Sequence, residues 1–278
     1  MSQVSVNTNY GAMLALQSLN KTNDELSGTQ QRINTGLKVA TAKDNGATYA
    51  IAQAMRGKVA GYGVAKDTLD KAISSVDVAL AAGNTLSDLL NEMKEKATAA
   101  KDPTLTTSQR SAYNADFVQL RNAITHTVNN AEFNGANMIK AGGTNIVAFA
   151  NDSGSSLITL TAVSMALSGS TVTITSTEVV DTLTAATNAL SRVNASITNL
   201  NKQLATLGSG ARALTKHRDF LAQLSDALET GIGNLVDADL AKESAKLQSL
   251  QVKQQLGAQA LSIANQTPQI LLSFFSNG

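Results

Sequence analysis

The chain has 278 residues, with 22 Lys+Arg against 21 Asp+Glu and a formal net charge of +1. That balance excludes the basic excess of a duplex-binding or membrane-surface protein, and the lack of cysteine excludes a disulfide framework or a thiolate metal site. Aromatics at 4%, no Trp and two Pro suit long helices better than a dense globular core. No apolar run is long enough to span a bilayer. The start, Met1-Ser2-Gln3-Val4-Ser5-Val6-Asn7, lacks the basic residues and apolar stretch of a cleavable signal peptide. If the protein leaves the cell, it is expected to do so by a route that cleaves no such signal.

The first periodic segment carries Ala12, Leu19, Leu26 and Ile33 at strict sevens, with Leu16 and Leu37 at complementary positions and Asn23 and Gln30 at the remaining ones. Those amides either sit buried at a seam, fixing register, or face solvent. Gly36 and Asn45-Gly46 interrupt the pattern. A second seam follows through Met55, Tyr62, Leu69, Val76 and Leu90, interleaved with Val59, Ile73 and Leu80. Gly57, Gly61, Gly63 and Gly83 lie within it, each costing about 1 kcal/mol relative to Ala, and close approach by a neighbour is the expected reason. Lys101-Asp102-Pro103 ends that helix. Thr106 with Gln109 predicts a capping box opening a shorter helix that carries Tyr113, Phe117, Leu120, Ile124 and Val128 on one face.

Asn134-Gly135 and Gly142-Gly143 are turn signals, after which the period changes to two. Residues 145–150 and 157–163 read as two strands around the turn 151–156, and 171–175 as a third with alternate threonines on a wet face. The chain then returns along a helix with Leu200, Leu207, Leu214, Leu221, Leu228 and Leu235 at every seventh position. Val193 extends that series backwards, and Leu183, Leu190, Ile197 and Leu204 interleave. A stripe every 3.5 residues keeps one seam facing a partner helix, over a length on the order of 80 Å at 1.5 Å per residue. Gly231, Gly233 and Asn234 are expected to break it, with Asp237 and Asp239 at the start of the next helix. The last helix places Val252, Leu256, Ala260, Ile263 and Ile270 on one face and Gln248, Gln251, Gln254, Gln255, Gln259, Gln266 and Gln269 elsewhere. Pro268 is expected to kink it, and Leu271, Leu272, Phe274 and Phe275 close the chain.

The layout is helix, helix, β tip, helix, helix: a mainly α chain, a long antiparallel coiled-coil bundle with paired terminal helices and a small β-hairpin insert. Two helices cannot cover both terminal apolar stripes, so the ends need partners from other copies. Catalytic chemistry is not expected. His126 and His217 have no ligands at metal spacing, and His217 in Lys216-His217-Arg218-Asp219 reads as part of a charged solvated face. No HExxH, GxSxG, GxxxxGK[ST] or GxGxxG occurs. Gly61-Tyr62-Gly63 reads as packing and Asp237/Asp239 as a helix start. Neither an enzyme nor a cofactor is expected.

Four motifs carry a resemblance to a known family. Residues Gln31–Val39 with Ala42–Ala52, Ala131-Glu132-Phe133-Asn134-Gly135, Asn234–Glu243 and Ala264–Leu271 resemble, in order, the N-terminal signature, mid-chain FNG motif, DAD motif and terminal segment of bacterial flagellin. The chain is most similar to the short flagellins of alphaproteobacteria. That resemblance implies an inner-tube domain, D0, from residues 1–40 and 237–278. It also implies a surrounding domain, D1, from 41–236, with helices over 44–100, 107–130 and 179–232 and a tip insert over 141–178.

It further implies a homopolymer, with sibling flagellins as possible co-subunits, forming the extracellular filament used for swimming. Export would run through the flagellar type III channel, growth beneath a cap protein, and contact with hook–filament junction proteins and an export chaperone. Neither nucleic acid nor membrane is an expected partner. Self-assembly is expected through Leu16, Leu19, Leu26, Ile33, Leu37, Leu240, Val252, Leu256, Ile263 and Ile270, and the D1 seam through Leu200, Leu207, Leu214, Leu221 and Leu228. Gln254 and Gln255 are expected to line the channel. Ser153, Ser155, Ser168, Ser170, Thr171 and Thr173 are candidate O-glycosylation sites, since relatives often carry sugars on exposed loops. Glu92 and Lys96 replace the Arg and Leu of the core recognised by a vertebrate innate receptor, so weak or absent activation is expected. The alternatives are a hook–filament junction protein and a monomeric secreted coiled-coil adhesin or adaptor.

Overall fold

The computed structural model describes the backbone of residues 8–276 and the side chains of residues 8–266. The expectations placed on residues 1–7 and on the side chains of Pro268, Gln269, Ile270, Leu271, Leu272, Phe274 and Phe275 lie outside them. The elements are α1 (Tyr10–Thr35), α2 (Gly46–Ala100), α3 (Thr107–Asn130), β1 (Ile146–Phe149), β2 (Leu157–Leu160), α4 (Leu183–Val236) and α5 (Leu240–Ser276). The chain forms two compact units, one of residues 1–56 and 228–278 and the other of residues 57–227, so α2 and α4 each contribute to both.

In the terminal unit, the Asn9 side chain accepts from Ala12 N at 3.0 Å and starts α1. Gly36 ends it at φ +71°, the left-handed conformation open to glycine, with its N–H on Arg32 O. The chain leaving α1 meets the chain leaving α4: Lys38 N donates to Val236 O at 2.8 Å, Ala238 N to Gly36 O at 2.8 Å, and Leu37 pairs with Asp237 as an isolated bridge. Asp239 Oδ1 accepts from Ala241 N and Lys242 N and starts α5, as its position in the DAD motif suggests. The helix break lies later than expected. α4 passes through Gly231, Gly233 and Asn234 and stops at Val236. Buried Ile232 and Val236 anchor this last turn, and a Cβ on Gly233 would stand 2.7 Å from Asp237 Oδ2. The glycine there admits the carboxylate rather than breaking the helix.

The second unit holds a continuous core. On α2 the seam positions are Ala65, Leu69, Ala72, Val76, Ala79, Gly83, Leu86, Leu90, Met93, Ala97 and Ala100, all buried and alternating by four and three. On α4 they are Ala186, Ala189, Val193, Leu200, Leu207, Leu214 and Leu221, and on α3 Phe117, Ile124 and Val128. The predicted series through Leu69, Val76 and Leu90 is at the seam. Its interleaved partners are alanines, Leu86 and Met93, whereas the predicted Ile73 and Leu80 sit half-buried at its flank. The glycine expectation divides. A Cβ on Gly83 would stand 2.4 Å from the Leu204 side chain and one on Gly61 2.3 Å from Asp152 O, while Gly57 and Gly63 have nothing within 4 Å.

The predicted capping box opens α3, with Gln109 N on Thr106 Oγ1 and Thr106 N on Gln109 Oε1. Buried Arg110 donates to the carbonyls of Ala100 and Asp102, closing the C-terminal end of α2 from one turn into α3. After α3, buried Asn137 donates to Val128 O at 2.8 Å and accepts from Ile139 N and Lys140 N. β1 and β2 then pair antiparallel, Ile146 opposite Leu160 and Phe149 opposite Leu157. Phe149 N donates to Thr68 Oγ1 at 3.0 Å, and Leu160 packs where a Cβ on Gly210 would stand 2.7 Å away. His217 Nε2 lies 2.9 Å from Ala150 O, so this histidine fastens the hairpin and is not part of a solvated charged face.

The third strand does not form. Residues 171–175 run extended against α4, with Val172 and Ile174 buried and Thr173 N donating to Ser196 Oγ at 2.9 Å. The backbone bonds of this segment are local, Ser168 N to Ile174 O at 2.8 Å and Gly169 N to Val172 O at 3.0 Å, so a tight turn takes the place of a third strand.

Candidate self-assembly surface

α1 and α5 run antiparallel in a register set by polar contacts. Asn9 Nδ2 donates to Ala264 O at 2.7 Å, Gln254 Nε2 to Asn23 Oδ1 at 2.8 Å, and Arg32 reaches Glu243 at 3.4 Å. Between these contacts the less exposed residues of α1 are Ala12, Ala15, Leu19, Thr22, Leu26, Thr29 and Ile33, and those of α5 are Glu243, Leu247, Leu250, Gln254, Gly257, Leu261 and Ala264. Each set alternates by threes and fours, so each helix presents one heptad stripe to the other. The seam is shallow: among these only Thr29 and Leu250 are fully buried. Leu19 lies over Gly257, where a Cβ would approach its Cδ1 to 3.2 Å.

Against this geometry the expected assembly residues divide into two groups. Leu19, Leu26 and Ile33 belong to the α1–α5 seam within the chain, and Leu37 is half-buried at the Asp237 bridge. Leu16, Leu240, Val252, Leu256 and Ile263 face outward. The complementary positions on α1 are Ala15, Thr22 and Thr29 rather than Leu16, Asn23 and Gln30, all three of which are exposed. Small side chains let the helices close, which the large apolar residues of the pattern concealed. On α5 the correction is larger. Val252, Leu256 and Ile263 are 55%, 59% and 66% exposed. At 100° per residue they fall on the side of α5 away from α1. Sequence reasoning passed over Tyr10, Met13 and Leu14 of α1, which form a second exposed apolar face. Their signal was there: Tyr10, Met13 and Gln17 stack one turn apart.

Leu200, Leu207, Leu214 and Leu221 are buried within the second unit, and Leu228 is half-buried in the first. Gln254 is held on Asn23 at the seam, while Gln255 is exposed on the far side with Gln248, Gln259 and Gln266. The tip hydroxyls also divide. Ser153, Ser155, Ser168 and Ser170 are exposed, the first two bonded to Asn151 Nδ2. Thr171 is 1% exposed and Thr173 Oγ1 donates to Arg192 O at 3.1 Å. Burial against α4 thus removes Thr171 from the exposed set.

The charged groups do structural work. Thr41 N, followed by its hydroxyl and Ala40 N, donates to Asp44 and holds that carboxyl below its ordinary value. The Thr104 hydroxyl and N–H do the same to Asp102. Asp116, 2.7 Å from Lys96 Nζ, raises the pKa of that lysine. Among the described residues no group of three or more His, Asp or Glu is placed to hold a metal, and no helix is long and apolar enough to cross a membrane.

The arrangement is therefore one of surfaces, and known proteins are similar to it in sequence over nearly its whole length. The bacterial flagellin N-terminal helical region matches residues 6–144 and the bacterial flagellin C-terminal helical region residues 190–275. The chain is 48% identical to flagellin FljK of Caulobacter vibrioides over 99% of this chain and 100% of that one. It is 35% identical to a flagellin of Brucella melitensis, over 98% and 99%, and 30% identical to flagellin C of Rhizobium meliloti over the same shares. Flagellins are structural proteins, not enzymes, that polymerise into the extracellular flagellar filament used for swimming. The chain belongs to the bacterial flagellin family.

Proposed function

We propose that the two ends of this filament subunit, residues 1–40 with 237–278, act as the inner-tube domain D0, and that residues 41–236 act as the surrounding D1 with the 141–178 insert as its tip. The observation that carries this reading is the outward ridge of Val252, Leu256 and Ile263, on the side of α5 that α1 leaves uncovered. With Leu16, Leu240 and the Tyr10–Leu14 face, it is exposed apolar surface among the described residues. Copies related by a contact that does not close on itself form an open helical polymer and cover such a surface. The test is Ile263→Asn together with Val252→Asn. The circular-dichroism melt of the monomer stays unchanged while seeded filament growth stops; normal filaments from the double variant would reject the ridge as an assembly face.

The same helix supplies the channel wall in this reading. Gln255 takes that role with Gln248, Gln259 and Gln266, and Gln254 is withdrawn from it by its bond to Asn23. Neutral amides give an unfolded passing chain neither charge nor apolar surface to adhere to. Export through the flagellar type III channel, growth beneath the cap, the junction proteins and the chaperone on the C-terminal helix rest on family membership. Of the tip hydroxyls, Ser153, Ser155, Ser168, Ser170 and Thr173 stay candidates for O-glycosylation, which an intact mass equal to the bare chain would exclude. Exposed Glu92, with Lys96 paired to Asp116, supports weak activation of the innate receptor; strong signalling by purified monomer would refute it.

A further inference from the structure

We propose that Met13 is an oxidation-sensitive gate on polymerisation. The inference rests on the reading of the outward α1 face as an assembly surface. Met93, Met138 and Met165 are fully buried in the second unit and Met55 is half-buried, whereas Met13 is 62% exposed. It stands between Tyr10 and Gln17 on successive turns, with Leu14 and Leu16 beside it. Its thioether is thus the most accessible among the described methionines, and it lies on a face that other copies are to cover.

A peroxide supplies the oxidant. The Met13 sulfur attacks one peroxide oxygen, the O–O bond breaks, and water or an alcohol leaves carrying the other oxygen. The sulfur loses two electrons to form a sulfoxide and the peroxide gains them. The product replaces a flexible apolar side chain with a strong acceptor; Leu14 and Leu16 offer it no donor, and the donors of Tyr10 and Gln17 are a phenol O–H and an amide that must leave water with it. Burying such a group without a partner is costly. Oxidation therefore acts on the free subunit and stops it from joining, while subunits already in a filament have Met13 covered.

The experiment exposes full-length monomer and preformed filaments to graded hydrogen peroxide. Peptide mass mapping follows each methionine, and light scattering follows seeded growth. Among Met13, Met55, Met93, Met138 and Met165, Met13 oxidises first in monomer and is spared in filaments. The protein concentration needed for growth rises about tenfold, the size of change that burying one unpaired polar group produces. Methionine sulfoxide reductases A and B together restore growth, and Met13→Leu, or Met13→Ile if the leucine variant does not polymerise, makes growth resistant to peroxide. Peroxide loss equal to wild type in that variant overturns the proposal, as does normal growth of wild type carrying Met13 sulfoxide. If Met13→Gln stalls growth, the assembly face stands even where the gate fails. If Met13→Gln grows normally, the assembly-face reading itself falls.

Discussion

The two units distribute apolar surface in opposite ways. In the unit of residues 57–227, Leu69, Val76, Leu86, Leu90, Met93, Phe117, Ile124, Leu200, Leu207 and Leu214 form one contiguous buried cluster. In the unit of residues 1–56 and 228–278, the fully covered apolar side chains are Val39, Ala52, Ile232, Val236 and Leu250 among the described residues. Tyr10, Met13, Leu14, Ile51, Val252, Leu256 and Ile263 of that unit stand in water. Covering one such large side chain fully is worth about 1.5–3 kcal/mol. The 57–227 unit has collected that energy within the chain; the terminal unit leaves more of its large apolar side chains exposed. A subunit that polymerises with its own kind gains from this division.

The largest expected effect breaks the self-sufficient unit. Phe117→Ala empties a fully buried site and should cost about 3–5 kcal/mol, read as a lower midpoint of urea unfolding in unpolymerised subunits. Val252→Asn and Ile263→Asn should leave that midpoint in place and act on growth alone. A shared drop in the midpoint would erase the contrast between the units. Gly61→Ala comes next. Its Cβ would meet the Asp152 carbonyl, a backbone group unable to swing aside, and the overpacking should cost about 1–3 kcal/mol. Hydrogen exchange should rise in residues 146–160 before it rises in α3; uniform exchange would mean the hairpin is not separately docked. Arg110→Met leaves the Ala100 and Asp102 carbonyls without that donor and should cost about 1–3 kcal/mol. A midpoint within error of wild type would show that water replaces the guanidinium.

Sequence periodicity located every helix because a heptad stripe needs only apolar residues at the right spacing. The leucines of α4 and the Thr106–Gln109 box show how local such signals are. What it misplaced shares one cause. Seams made of Ala72, Ala79, Ala15, Thr22 and Gly257 are written in small residues, so reading the large ones alone rotated the interface towards Ile73, Leu80, Leu16 and Val252. The His217 contact and the docking of 171–175 on α4 depend on neighbours remote in sequence. No local pattern announces them. The outward ridge of α5 was visible as a stripe, but only the α1 register shows which of its two faces stays open.

The smallest effect concerns acid, and it again separates the units. Asp44 closes the loop of the terminal unit by accepting from Ala40 N, Thr41 N and the Thr41 hydroxyl, and Asp102 closes the α2–α3 turn of the other through Thr104. Both carboxyls titrate below the ordinary value of 3.8 in the folded chain. Each therefore binds its proton more readily when unfolded, and its contribution is complete above that value. As the pH falls through the lowered folded value, the contribution disappears. Both groups are solvent-exposed, so the effect is a change of slope below pH 4 rather than a collapse. Asp102→Asn should flatten the acid limb of the urea midpoint for the 57–227 unit. Asp44→Asn should leave that midpoint alone and flatten the acid limb of hydrogen exchange in residues 37–45 and 237–240. Were both variants to move both readouts together, the two units would unfold as one and the division drawn between them would not hold.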